Sequence, residues 1–210
     1  MKVLTMRNAR LELPSIKRFL VNLNQDLDHI YASPVTYFCE NEAISNIEKM
    51  VLLLEDRRYF RHKGVDLCFQ LQENYFDCAF FMKHGGASTI DMQFVRTITN
   101  FKERTLRRKF YEMVLARVIQ YHFTKRQIIK AYLEVAYFGT YITGVGSASS
   151  ALYRKDINLL DLQQTAFIAA MLVYPRPSSP SDLWNKKVTR RANYALKLYP
   201  SYKKIFEKLP

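Results

Sequence analysis

Two carboxylates, Glu55 and Asp56, close an apolar stretch and are followed at once by Arg57 and Arg58. A carboxylate half-buried at a helix end can have its proton affinity raised and act as a general base. A solvated helix end with local ion pairs is the plainer reading of the same residues. Downstream, GGASTIDMQFVRT over residues 85–97 sets two glycines ahead of Ser88 and Thr89. Such a loop opening a helix leaves backbone N–H groups free, and those groups bind phosphate or diphosphate; an ordinary capped loop is the alternative. Gln93 and Arg96 follow one and two turns along, on roughly the side of Thr89. In RTLRRKFYE, residues 104–112, Arg108 and Lys109 precede Glu112 by four and three positions, so all three share a helix face. That face is either a surface ion pair or two cations and a carboxylate set against a diphosphate.

The elements that must position these groups are helical. Ile16, Phe19, Leu20, Leu23 and Leu27 form one stripe behind Pro14, and Ile44, Ile47, Val51 and Leu54 form another that runs into Glu55. Ser88 with Asp91 reads as a capping-box variant opening a helix to about Thr99. Leu106, Phe110, Met113, Val114 and Val118 mark a long helix. Thr124 and Gln127 form a capping box for the next, with Ile128, Ile129, Tyr132 and Leu133 following and Gly139 as its stop. Leu159, Leu162, Ala166, Ala169 and Val173 mark a further helix ended by Pro175, Pro177 and Pro180; Trp184, Val188, Ala192 and Ala195 mark the last. Residues 65–83 fit either a strand or a helix. The expected fold class is mainly α.

The 210 residues suffice for one domain, and 49% hydrophobic content excludes a disordered tail. The net charge of +13 favours an anionic partner: nucleic acid, an anionic membrane surface or a phosphorylated substrate. Cys39, Cys68 and Cys78 form no CxxC pair and read as free thiols, neither a disulfide framework nor a zinc site. No apolar run approaches the roughly 20 residues of a membrane span, and Met1 to Arg10 lacks the apolar core of a secretory signal.

Taken in order, the three chemical segments and two later ones resemble the motifs of the peptidoglycan glycosyltransferases. Glu55, Asp56, His62 and Gly64, with Tyr59 in the aromatic slot, match the first motif. Gly86, Ser88, Thr89, Ile90 and Gln93 match the second, and Arg108, Lys109 and Glu112 the third. Lys125, Ile128, Tyr132, Leu133, Tyr137, Phe138 and Gly139 match the fourth, and AFIAAMLVYPRPSSP resembles the fifth. The resemblance covers about residues 44–185. It leaves residues 1–43 as an N-terminal helical extension and 186–210 as a C-terminal helix of the same domain. Arg96 stands where the family has Lys, Thr97 and Glu134 where it has Asn, Leu172 where it has Pro and Ser178 where it has Tyr.

The resemblance implies a lysozyme-like helical domain with a small membrane-facing lobe, the latter at the apolar stretch 75–82, whose aromatics fit a core equally well. It implies polymerisation of lipid-linked disaccharide onto a glycan chain carried by a lipid diphosphate. Glu55 would be the base and Glu112 the second catalytic carboxylate. Arg108, Lys109 and Arg96 would stabilise the leaving diphosphate, and Ser88, Thr89 and Gln93 would hold it or the donor sugar. Asp56, His62, Gly64 and Lys125 take secondary places, His62 as a group fixing the loop after Glu55. No cofactor is required, and no structural metal site is expected; a divalent cation, Mg or Mn, can accompany the diphosphate. The expected station is peripheral at the cytoplasmic membrane, on its periplasmic or outer face, with an anionic membrane surface and cell-wall synthesis proteins as partners. Competing readings are a non-catalytic module binding lipid-linked glycan, a lysozyme-like hydrolase and, last, a nucleic-acid binder. No nucleic-acid recognition motif supports the third, and its basic residues are dispersed.

Overall fold

The computed structural model describes residues 15–38, 43–66, 88–100 and 105–209. Eight helices carry the described fold: α1 (Ser15–Tyr31), α2 (Asn46–Glu55), α3 (Ile90–Thr99), α4 (Leu106–Ile119), α5 (Lys125–Val135), α6 (Val145–Tyr153), α7 (Leu162–Ala170) and α8 (Asp182–Glu207). A short antiparallel pair, β1 (Tyr137–Gly139) and β2 (Ile142–Thr143), joins α5 to α6. The architecture is mainly helical, as the sequence implies. The apolar stretch 75–82, the three cysteines, Gly85 and Gly86 lie outside the described residues.

Most starts are written in local chemistry. Ser45 and Glu48 form a capping box at α2, Thr124 and Gln127 at α5, and Asp161 and Gln164 at α7. Glu48 is buried there, and desolvation raises its pKa while the Ser45 N–H opposes that rise. The cap of α3 differs from the expected one. Thr89, not Ser88, accepts from Met92 N, and Asp91 is fully buried and does not reach back to the cap. Its carboxylate has a stronger partner in Lys125.

Two layers are tied where the C-terminal end of α2 bonds to α3, Asp56 accepting from Ile90 N and Glu55 from Gln93. On one side α7 packs against α2 and α8, and small residues let them approach: Ala166, Ala169 and Ala170 of α7, Ala192 and Ala195 of α8, all buried. On the other, α3 lies between α5 and α4, with α1 across it. Ile30 is fully buried, and Tyr111 of α4 donates to Asp26 of α1 at 2.7 Å, so α1 belongs to the same core. Leu20 of the α1 stripe faces outward.

Three expected details change. The apolar residues that mark α4 are not its buried face: Leu106 is 88% and Phe110 61% exposed, whereas Tyr111, Glu112, Leu115, Ala116 and Ile119 are buried. A charged residue occupies the inner face because it is paired there. The helix read over 159–173 is shorter, because Asp161 starts it and Leu159 belongs to a preceding 3-10 turn. Gly139 does not stop α5, which ends at Val135. It sits in β1 at φ 157°, where a Cβ would run into the Arg176 carbonyl; Thr140 N donates to that carbonyl and Arg176 N to Phe138 O, each at 2.8 Å.

Gly64 (φ +83°) is fixed by a similar close approach. A Cβ there would overlap the Ala116 carbonyl of α4, and the Gly64 carbonyl accepts from Thr89 Oγ1 at 2.6 Å. Gly64→Ala adds left-handed backbone strain, about 1–2 kcal/mol, to a backbone clash. Thermal denaturation of this variant should show a loss of at least about 2 kcal/mol; an unchanged midpoint would contradict the close approach.

Candidate active site

Glu55 is the last residue of α2, and its side chain is 5% exposed. Arg191 of α8 reaches it: Nη2 donates to Glu55 Oε1 at 2.7 Å and to the Leu54 carbonyl at 3.0 Å. The second oxygen, Oε2, accepts from Gln93 Nε2 at 3.2 Å. Gln93 is held in turn by Tyr132, whose hydroxyl donates to Oε1 at 2.6 Å. Burial, with the charge of Glu55 adding to it, pushes the Tyr132 phenol far above its ordinary pKa, so this hydroxyl keeps its proton and stays a donor.

A second centre surrounds Glu112, whose side chain is 1% exposed in the middle of α4. Arg96 grips it with two parallel bonds, Nε to Oε1 and Nη2 to Oε2, both 2.9 Å, and the same Nη2 donates to Ser88 Oγ at 3.1 Å. Arg108 stands one turn back with Nε 3.1 Å from Oε1, close enough for charge attraction but too poorly aligned for a hydrogen bond. A lysine at position 96 would offer one charged nitrogen where the planar fork makes two carboxylate contacts. Lys109 has no acidic partner among the described residues and is part-exposed.

The two centres are joined. Gln93 Nε2 also lies 3.5 Å from the Ser88 carbonyl, and Ser88 is the acceptor for Arg96. A path therefore runs Arg191–Glu55–Gln93–Ser88–Arg96–Glu112, with Arg108 and Lys109 at its far end. Thr89 stands aside, its hydroxyl spent on Gly64 and on capping α3. Gln93 likewise spends its amide on Glu55 and Tyr132.

The remaining motif residues form a separate buried cluster. His62 Nε2 meets both oxygens of Asp56, at 2.9 and 3.1 Å, and Asp56 Oδ2 accepts from Ile90 N at 3.2 Å, tying the end of α2 to the start of α3. Lys125 Nζ lies 2.6 Å from Asp91 Oδ2, 3.4 Å from His62 Nδ1 and 4.0 Å from the Tyr59 ring centre. Asp56, His62 and Asp91 present ligand atoms close enough together for a metal ion. The lysine ammonium already supplies the cation to Asp91 in that cluster, which makes it an ion pair built into the fold. Tyr59 closes it from above, its hydroxyl donating to Lys125 O at 2.8 Å.

A family model described as transglycosylase matches residues 29–199. The chain belongs to the transglycosylase family. The match takes in the motif-bearing span and extends beyond it at both ends, covering most of α8 and hence Arg191. Similar proteins include penicillin-binding protein 1A of Escherichia coli strain K12, 31% identical over 195 residues, which cover 90% of this chain and 22% of that protein. Penicillin-binding protein 1A of Rickettsia bellii strain RML369-C is 29% identical over 190 residues, 89% of this chain and 23% of that one. Penicillin-binding protein 4 of Bacillus subtilis strain 168 is 30% identical over 141 residues, 67% of this chain and 22% of that one. The chain thus spans less than a quarter of the length of each of these curated relatives. Among its described residues no helix is long and apolar enough to cross a membrane.

Arg191 is the site residue that motif reasoning missed. The signal lay in the stripe of α8: Arg191 stands three positions after buried Val188 and four before buried Ala195, on the inner face, where an arginine needs an anion.

Proposed function

We propose that this chain is a peptidoglycan glycosyltransferase that polymerises lipid-linked disaccharide into glycan strands. The continuous path from Glu55 to Glu112 and its cations carries the reading, because it sets a carboxylate base and a cationic end in one hydrogen-bonded frame. In the step, Glu55 takes the proton of the acceptor sugar's 4-hydroxyl. That oxygen bonds to the anomeric carbon of the donor with inversion, the bond from that carbon to the lipid diphosphate breaks, and its electron pair leaves on the diphosphate. Cations fixed where this charge develops lower the barrier. Lys109, lacking an acidic partner among the described residues, is the group best free to meet it, with Arg108 and Arg96 held beside it by Glu112. Glu112 acts by aligning cations.

A divalent ion does not fit the Glu112 centre itself: both carboxylate oxygens already meet guanidinium groups, and the surroundings are cationic. The same engagement argues against a hydrolase in which Glu112 serves as the acid. The substrate places the enzyme at the cytoplasmic membrane, on its periplasmic or outer face, among cell-wall synthesis proteins. Gel-resolved polymer from purified lipid-linked disaccharide is the deciding assay.

Arg191 orients the base in this scheme. Arg191→Met should lower the polymerisation rate by about 10²-fold, the scale of a base displaced by about 1 Å. Arg191→Lys should restore part of it, since an ammonium reaches one of the two acceptors well. Equal rates for wild type and Arg191→Met would refute the role.

A further inference from the structure

Behind the Glu55 end of α2, a groove separates the 3-10 turn Tyr59–Arg61 from the last two turns of α8. Its volume is about 330 Å³, within the roughly 300–1,000 Å³ of ordinary ligand pockets. Tyr202, Ile205, Phe206 and Leu209 make one wall and Leu52, Leu53 and Phe60 the floor. Tyr202 and Phe206 pack ring against ring at 6.3 Å, and Phe206 stacks on Tyr199 at 6.4 Å, so the wall is preformed. Pro200 sits inside α8 just before it and removes one helical N–H donor there.

The rim is cationic. Arg57, Arg58 and Arg61 line it. Arg58 is spent on Asp66 at 2.9 Å. Arg57 meets only the Tyr194 hydroxyl, at 3.3 Å, and ring, and Arg61 has no acidic partner among the described residues. Asp56 also lines the groove, but His62 and Ile90 N occupy its oxygens. Lys203, Lys204 and Lys208 are exposed on the same turns of α8, against Glu207 alone. Across α8 there are seven Lys and Arg to two carboxylates. An apolar slot under a row of guanidinium groups is complementary to an aliphatic chain that ends in an anion, because the chain is desolvated below while the phosphate meets paired N–H donors above.

We propose that this groove seats an acyl chain of an anionic membrane phospholipid, with its phosphate on Arg57 and Arg61. The site lies apart from the Glu55–Glu112 path and does not rest on the glycosyl-transfer reading. It adds a specific lipid contact to the general attraction of a basic surface, which is worth about fivefold in membrane partitioning per cation.

The test is quenching by lipid. The wild-type chain has one tryptophan, Trp184, at the far end of α8; Tyr202→Trp puts a second indole in the groove wall. Vesicles of phosphatidylcholine containing phosphatidylglycerol with brominated acyl chains should quench the Tyr202→Trp protein and leave wild-type emission nearly unchanged. Vesicles of brominated phosphatidylcholine alone should quench neither. Adding Arg57→Glu and Arg61→Glu should weaken the quenching titration by at least about twenty-fold, two fivefold steps, with circular dichroism unchanged. Vesicle binding without quenching of the groove indole would overturn the proposal. So would quenching indifferent to lipid charge, an outcome read without the arginine variants.

Discussion

Lys125→Met should cost about 3–5 kcal/mol of stability near neutral pH, a large share of the roughly 5–15 kcal/mol that holds a domain together. The Asp91 side chain is fully buried, and Lys125 Nζ is the cation that meets it, at 2.6 Å. Desolvation raises the Asp91 pKa and the Lys125 charge opposes the rise; burial in turn lowers the Lys125 pKa, with Asp91 opposing. Methionine removes the opposing charge, so Asp91 is left to desolvation with only the Gln120 amide and the nearby His62 to answer it. Its folded pKa then rises further above its unfolded value, near 4.

The sign of the pH dependence follows. A group with a raised folded pKa binds more protons when folded, so the stability it contributes is fully present below the unfolded value and is lost as pH rises through the folded value. Lys125→Met should therefore lie nearest to wild type at about pH 4 or below and fall away toward pH 8. Urea denaturation at both pH values measures this. Lys125→Met combined with Asp91→Asn should recover much of the loss, since a neutral pair has no charge to strand. A deficit under about 1 kcal/mol, or one flat in pH, would mean that the carboxylate finds another partner and the pair is dispensable.

What the sequence made legible was what is local or what carries a motif. Capping boxes at Thr124 and the apolar run into Glu55 are short-range patterns, and α5 and α2 follow them. The face of α4 was not legible, because its inner residue Glu112 is charged and its partner Arg96 comes from another helix. Leu106 and Phe110, apolar and outward, point the wrong way for a pattern rule. The cap of α3 shifted from Ser88 to Thr89 for the same kind of reason: Asp91 is claimed by Lys125, 34 residues away. Gln93 read as a substrate contact from its position in a motif, yet it ties Tyr132 to Glu55 over 39 and 38 residues. Arg191, 136 residues from Glu55, falls outside every motif that was matched. Long-range charge pairs are the part of a site that spacing cannot announce.

Those pairs also separate two groups of carboxylates that the motifs mix. Asp56 and Asp91 are closed in with His62 and Lys125 and hold α2, α3 and α5 together. Glu55 and Glu112 are each gripped from one side by arginines brought from other helices. The first group belongs to stability, and mutation there should read as unfolding. Under the proposed function the second serves the chemistry, and mutation there should read as rate.

Glu55→Gln is the sharpest case of the second kind, with an expected fall in polymerisation of at least about 10²–10⁴-fold, the usual share of a general base. The amide keeps the shape of the carboxylate and can still accept from Arg191 at Oε1. At the other position its NH₂ would face the Gln93 Nε2, donor against donor. Rotating the Gln93 amide turns its oxygen toward the new NH₂ and its nitrogen toward Tyr132, whose hydroxyl can rotate to accept. The bonds to residue 55 and Tyr132 are then remade and only the long Gln93–Ser88 contact at 3.5 Å is lost, so the variant should fold within about 2 kcal/mol of wild type and still bind lipid-linked disaccharide. The loss should appear in kcat with KM little changed, as for an interaction made only at the transition state. Polymer from the wild type and none from this variant would join activity and base in one experiment. Undiminished polymer from the variant would remove Glu55 from the chemistry. Substrate bound by both proteins and polymerised by neither would make the chain a glycan-binding relative, with the same cationic frame put to holding the diphosphate and not to breaking its bond.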